Sequence, residues 1–139
     1  MAKQMAPDPA IGTWKLNVAK STFRVSPAIK RETIKIEAWE DGLKISADIV
    51  DAQENKVHAE AAYKLDGKDY PIKGHPLADS VSAKRTGERS TESVLKKDGK
   101  VLHSAKSMIS SDGKTWSLTR TGKDAQGRTV DDLLVFEKQ

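Results

Sequence analysis

A chain of 139 residues without cysteine fits one domain that builds its core without staples, and it has no disulfides, thiolate metal centres or cysteine nucleophiles to offer. Its formal net charge is +4, but 24 basic residues are interleaved with 20 acidic ones along the whole chain, so the clustered basic surface with stacking aromatics that nucleic acid requires is missing. A hydrophobic share of 37% against 32% charged suits antiparallel strands with one wet face, and no apolar run approaches the roughly 20 residues that span a bilayer.

Residues 1–9 have no apolar segment and read as a disordered leader, leaving 10–139 as a single domain. Ile11-Gly12-Thr13-Trp14-Lys15-Leu16 is the first strand. Gly12 admits a neighbouring backbone or a long cationic side chain against the Trp14 indole, so Trp14 is expected to plug one end of a barrel in contact with an arginine. The connection from Asn17 to Lys30, broken by Ser21 and Pro27, predicts a helical turn or Ω-type loop, with Phe23 as satellite core beneath it or as a lid.

From Arg31 the hydrophobic period is two. Ile34, Ile36 and Ala38 share a face, Asp41-Gly42 turns the chain, and Leu43, Ile45, Ala47 and Ile49 share the next. Trp39 is out of phase and is expected at the rim or outside. Val57, Ala59, Ala61, Tyr63 and Leu65 alternate inward up to Asp66-Gly67. Pro71 and Pro76 then limit pairing around a short strand. Val81, Ala83 and Arg85 share a face, and runs turn at Asp98-Gly99 and Asp112-Gly113. Trp116, Leu118 and Arg120 share a face, and Ala125-Gln126-Gly127 leads to the last strand, Arg128 to Glu137. Nearest-neighbour turns without a crossover helix predict an all-β, up-and-down antiparallel β-barrel of roughly 8–10 strands, with a two-sheet sandwich as the alternative.

Gly12-Thr13-Trp14, with Arg120 or Arg128 available late in the chain, resembles the calycins, the lipocalin and fatty-acid-binding-protein group, in which the Trp packs at the closed end beneath a basic side chain of a late strand. Asp8 to Ser21, Leu65 to Pro71, Ser111 to Thr115 and Gly127 to Val130 are together similar to a bacterial lipocalin-like family of largely uncharacterised function. The resemblance implies a lipocalin-like barrel. Members are often exported with a leader cleaved before the Asp-Pro segment, which implies a periplasmic or secreted home, a cytoplasmic one being the alternative. The chain departs in having no C-terminal helix after the barrel and no helix-turn-helix lid, so no particular transported ligand is carried over.

Ala38, Ala47, Ala59, Ala61 and Ala83 in the inward register predict a cavity of about 300 Å³ or more, the alternative being collapse of larger side chains onto a dry core. Arg85 and Arg120 each end an apolar inward face, and a buried guanidinium needs a partner: Asp131 or Asp132, or the carboxylate of a ligand. The expected function is binding of a small hydrophobic or amphipathic molecule, anionic at one end if both arginines face inward, with Ile36, Ile45, Ala59, Tyr63 and Trp116 against its apolar part. The competing reading is a cofactor-free acid–base enzyme of isomerase, cyclase or lyase type using Tyr63, His103 and Asp132. His58 is expected in solvent, His75 in a corner and His103 inside, so a metal site is not expected. No cofactor is implied, and a monomer or weak homodimer is expected.

Overall fold

The computed structural model describes residues 8–24, 28–123 and 126–139; residues 1–7 of the expected leader, Pro27 and Ala125 lie outside the described residues. Among the described residues ten strands follow one another: β1 (Gly12–Leu16), β2 (Ile29–Trp39), β3 (Gly42–Asp51), β4 (Lys56–Tyr63), β5 (Tyr70–Lys73), β6 (Ser80–Gly87), β7 (Ser90–Lys97), β8 (Lys100–Ile109), β9 (Thr115–Lys123) and β10 (Thr129–Lys138). Each pairs antiparallel with its sequence neighbours, and β1 also pairs with β10, so the sheet closes into an up-and-down barrel and the sandwich alternative falls. Closure removes the two edges that ten wet-faced strands would otherwise expose.

Up-and-down order sends alternate turns to opposite ends. The start of β1, the end of β10 and the β2–β3, β4–β5, β6–β7 and β8–β9 turns lie at one end, here the tryptophan end; the Asn17–Ala28 connection and the remaining turns lie at the other, the loop end. The core sits off centre. Trp14, Ile34, Ile36, Leu43, Ile109, Leu134 and Phe136 form its buried cluster, and Trp116 stacks on Phe136 at 4.8 Å while meeting Trp14 edge-on at 5.7 Å. Phe23 packs against this cluster from the Asn17–Ala28 connection, as a satellite core residue. A 3₁₀ turn over Val18–Lys20 is capped by Asn17, and a bridge between Thr22 and Leu133 ties the connection to β10.

Three local registers differ from the period-two expectation. The β2–β3 loop is Glu40-Asp41 rather than Asp41-Gly42, because Gly42 already pairs with Trp39; a Cβ on Gly42 would lie 2.2 Å from the Tyr63 carbonyl oxygen, so glycine is kept for close approach and not for the turn. A bulge between β7 and β8, where Leu95 faces His103 and Lys96 faces Val101, places the extra residue Leu102 between them; Val101 is therefore exposed although His103 and Ala105 face inward. Ala38 is exposed where β2 nears its hairpin, instead of lining the interior. Trp39 is half-buried and outside the interior lining, as its phase predicts.

Candidate functional site

At the tryptophan end the expected plug is in place. Trp14 is 0% exposed and donates Nε1–H to the Ala10 carbonyl at 2.8 Å. The cation against it is Lys138 of β10, with Nζ 5.3 Å from the ring centroid, and not an arginine: Arg120 lies toward the loop end and Arg128 is exposed in the β9–β10 connection. Gly12 lies at φ +140°, and a Cβ there would stand 2.6 Å from Lys138 Cε, so the missing side chain makes room for the cation, as its position before the Trp suggests.

Residues 8 and 9, expected in the disordered leader, belong to the barrel instead. Asp8 and Pro9 lie against the barrel, with Asp8 accepting from Ala10 N at 2.9 Å and pairing with Arg85. Arg85 thus stands at the rim, its partner an acid from the chain start rather than Asp131 or Asp132, and Nη1 also donates to the Glu88 carbonyl at 3.2 Å. Position in a Pro-flanked stretch gave no sign that Asp8 would be structural.

Between the ends lies an interior space of about 210 Å³, smaller than expected because Ile36, Leu43, Ile45, Tyr63 and Trp116 project into it. The space exists because β3, β4, β6 and β8 contribute Ala47, Ala59, Ala61, Ala83 and Ala105, while the bulky aromatics gather on β1, β9 and β10. Tyr63 lines it near Asp8; burial and then the Asp8 charge push its phenol well above the usual range, so it is a neutral hydrogen-bonding group there.

The polar groups at the loop end form a second constellation. Arg120 from β9 and His103 from β8 line the space. Asp132 of β10, 0% exposed, stands 3.9 Å from Arg120 Nη1 and also accepts from the Arg24 backbone N–H. Glu32 of β2 is 8% exposed; burial raises its carboxyl to about 7, against the pull of Arg120. Neither acid lines the space, and Asp132 flanks Arg120 from outside it. His103 is pushed down to about 4, by burial first and then by Arg120, and its Nδ1 is buried with no hydrogen-bond partner among the described residues. His75, in the β5–β6 connection, accepts from Leu77 N and Ala78 N through Nδ1 at 3.0 Å each, and burial lowers its pKa as well.

The expected catalytic trio does not converge: Tyr63 is at the tryptophan end, His103 at the loop end and Asp132 behind Arg120. Arg85 and Arg120 likewise stand at opposite ends. Glu32 escaped the sequence reading, although it is two residues before Ile34 in the inward phase. His58 is exterior, held between Asp48 (2.7 Å) and Glu60 (2.9 Å). Among the described residues no group of three or more potential ligands is placed to hold a metal, and no helix is long and apolar enough to cross a membrane.

A closed, ten-stranded antiparallel barrel with an aromatic plug at one end fits the calycin-like fold. No protein-family model matches the chain, and a search of curated proteins finds no match.

Proposed function

We propose that the protein binds a small amphipathic molecule inside the barrel, as a lipocalin-like carrier or sensor rather than as a catalyst. The observation that carries the reading is the lopsided interior: an alanine-lined space on one side of the aromatic core, with Asp8, Arg85 and Arg89 around it at the tryptophan end, and Arg120 and His103, whose buried Nδ1 has no partner among the described residues, lining it at the loop end. A buried polar atom without a partner carries a desolvation cost, and a ligand group that meets it recovers that cost on binding. At roughly 30 Å³ per water-sized group, the space of about 210 Å³ takes on the order of seven non-hydrogen atoms, so the ligand class is short-chain or single-ring.

The test is a panel of such molecules, with octanoate, 1-octanol and small phenols among them, titrated while the methyl resonances of Ala59, Ala61, Ala83 and Ala105 are followed. Saturable shifts at these methyls, abolished by filling the space with Ala83→Leu in a variant of unchanged fold, are the expected result. Absence of saturable binding across the panel overturns the reading.

A further inference from the structure

The interior space carries a hydroxyl that no described residue uses. Tyr63 ends β4 at the tryptophan end, in register with Leu43 of β3, and lines the space. Among the described residues its hydroxyl makes no hydrogen bond, neither to the nearby Asp8 carboxylate nor to a backbone group. The phenol is withdrawn from bulk water and yet the side chain keeps accessible surface, so the surface it keeps opens on the interior. A buried hydroxyl without a partner has lost its hydration for no return, and a ligand acceptor placed on it restores the bond. Resting on the ligand-binding reading above, we propose that the ligand is uncharged and carries a hydrogen-bond-accepting oxygen, a carbonyl above all, which takes the Tyr63 O–H at the tryptophan end of the space.

The charged groups around this end of the space are already matched. Asp8 and Arg85 pair with each other, and Arg85 Nη1 also donates to the Glu88 carbonyl at 3.2 Å. Arg89 stands 3.7 Å from the Glu88 carboxylate, and Glu60, farther along β4, is held by His58 Nε2 at 2.9 Å. An ionised ligand group would have to draw Arg85 from Asp8 or Arg89 from Glu88, or else lie desolvated without a counter-ion; a neutral oxygen needs the phenol alone. Tyr63 is a donor throughout the ordinary pH range, because burial and the Asp8 charge keep its proton in place. A carbonyl is favoured over a hydroxyl because it brings no donor of its own that needs a second partner. The rest of the molecule then lies against Ala59, Ala61 and Ala83, which offer it only apolar surface.

The experiment compares cyclohexanone with methylenecyclohexane, which have nearly the same shape and differ in a carbonyl against an exocyclic methylene, and with cyclohexanecarboxylate. Each is titrated into the full chain and into Tyr63→Phe, with the alanine methyl resonances as the readout. Tyr63→Phe is expected to weaken cyclohexanone binding about three- to tenfold, while methylenecyclohexane binds both proteins alike. In the infrared, the carbonyl stretch of cyclohexanone bound to wild type is expected below its position in an apolar solvent, and back at that position in Tyr63→Phe, a change that a packing role for the ring does not produce. Should Tyr63→Phe fail to fold, the wild-type stretch carries the test by itself. Cyclohexanecarboxylate is expected to bind wild type more weakly than the ketone. An unshifted carbonyl stretch, equal effects of Tyr63→Phe on ketone and alkene, or a carboxylate that binds more tightly than the ketone overturns the neutral acceptor on Tyr63 and leaves the ligand-binding reading standing. Failure of the ketone to bind where octanoate, 1-octanol or a phenol does bind overturns it in the same way. Absence of saturable binding by every one of these molecules overturns both.

Discussion

At the scale of single residues, the Gly12–Trp14–Lys138 group separates two costs that are usually merged. Trp14→Ala removes a fully buried indole from contact with Trp116, and a loss of about 3–5 kcal/mol in denaturant unfolding is expected. Gly12→Ala acts differently, since φ +140° strains any L side chain and the new methyl also meets Lys138 Cε. We expect it to cost about 1–3 kcal/mol, and the Gly12→Ala/Lys138→Ala double variant to recover the steric part alone, leaving the backbone part in place. Full recovery in the double variant, measured by the same unfolding curves, would show that backbone strain contributes nothing. Much at this scale was legible in the sequence: Gly-x-Trp announced both the plug and a cation against it. The identity of the cation was not, because Lys138 is brought to Trp14 by closure of β10 onto β1, a pairing that local spacing does not encode. Glu32 was hidden for a related reason. An acid in an inward phase reads as a strand start at the rim until a buried arginine from a distant strand is known to face it.

Strand by strand, the hairpins were readable where an Asp-Gly pair stands between alternating runs, as at Asp41-Gly42, Asp66-Gly67, Asp98-Gly99 and Asp112-Gly113. Where the reading slipped, a long-range contact intervened: the Tyr63 carbonyl claims Gly42, and the β7–β8 bulge turns Val101 outward. Pro71 and Pro76 correctly marked the weakest wall. β5 has four residues, with two paired to β4 (Glu60 with Lys73, Ala61 with Ile72) and two to β6 (Tyr70 with Val81, Pro71 with Ser80). Little backbone pairing and short length predict local opening below the global unfolding free energy. In native-state hydrogen exchange, the amides of Ile72 and Lys73 are expected to exchange at least about tenfold faster than those of Ile34, Ile36 and Ile45, whose strands pair along nearly their whole length. Equal protection would mean that the β4–β5–β6 wall opens only with the whole barrel, and that a ligand enters elsewhere.

For the whole molecule, alternation and turn spacing implied many antiparallel strands, but closure and the lopsided division of the interior depend on which strands meet, and that emerges only when β1 finds β10. Glu32 and His103 both feel the charge of Arg120 in the closed barrel, and their pH effects on stability oppose each other. Glu32 rises from 4.5 to about 7 on folding, so between these values the folded state holds a proton that the unfolded state has released; its contribution falls as pH rises through that window, by about 3 kcal/mol. His103 drops from 6.5 to about 4, so the unfolded state holds the extra proton and stability rises with pH through its window, by less than the Glu32 amount because the imidazole is only partly buried and solvent screens it. His75, also lowered, adds to the His103 slope, while exterior His58, raised by Glu60 and Asp48, tilts the way Glu32 does. Wild type is therefore expected to show a shallow profile between about pH 4.5 and 6.5, where the opposing terms overlap, and a decline from about 6.5 to 7, where Glu32 alone among the buried pair still titrates. Glu32→Gln removes the falling term. Its stability, read from urea unfolding at half-unit steps from pH 4 to 8, is expected to climb steadily toward neutrality and to exceed wild type most above pH 7, because a neutral amide there replaces a desolvated carboxylate. Parallel curves for the two proteins across the whole range would mean that the Glu32 carboxyl titrates in the folded state as it does in the unfolded one.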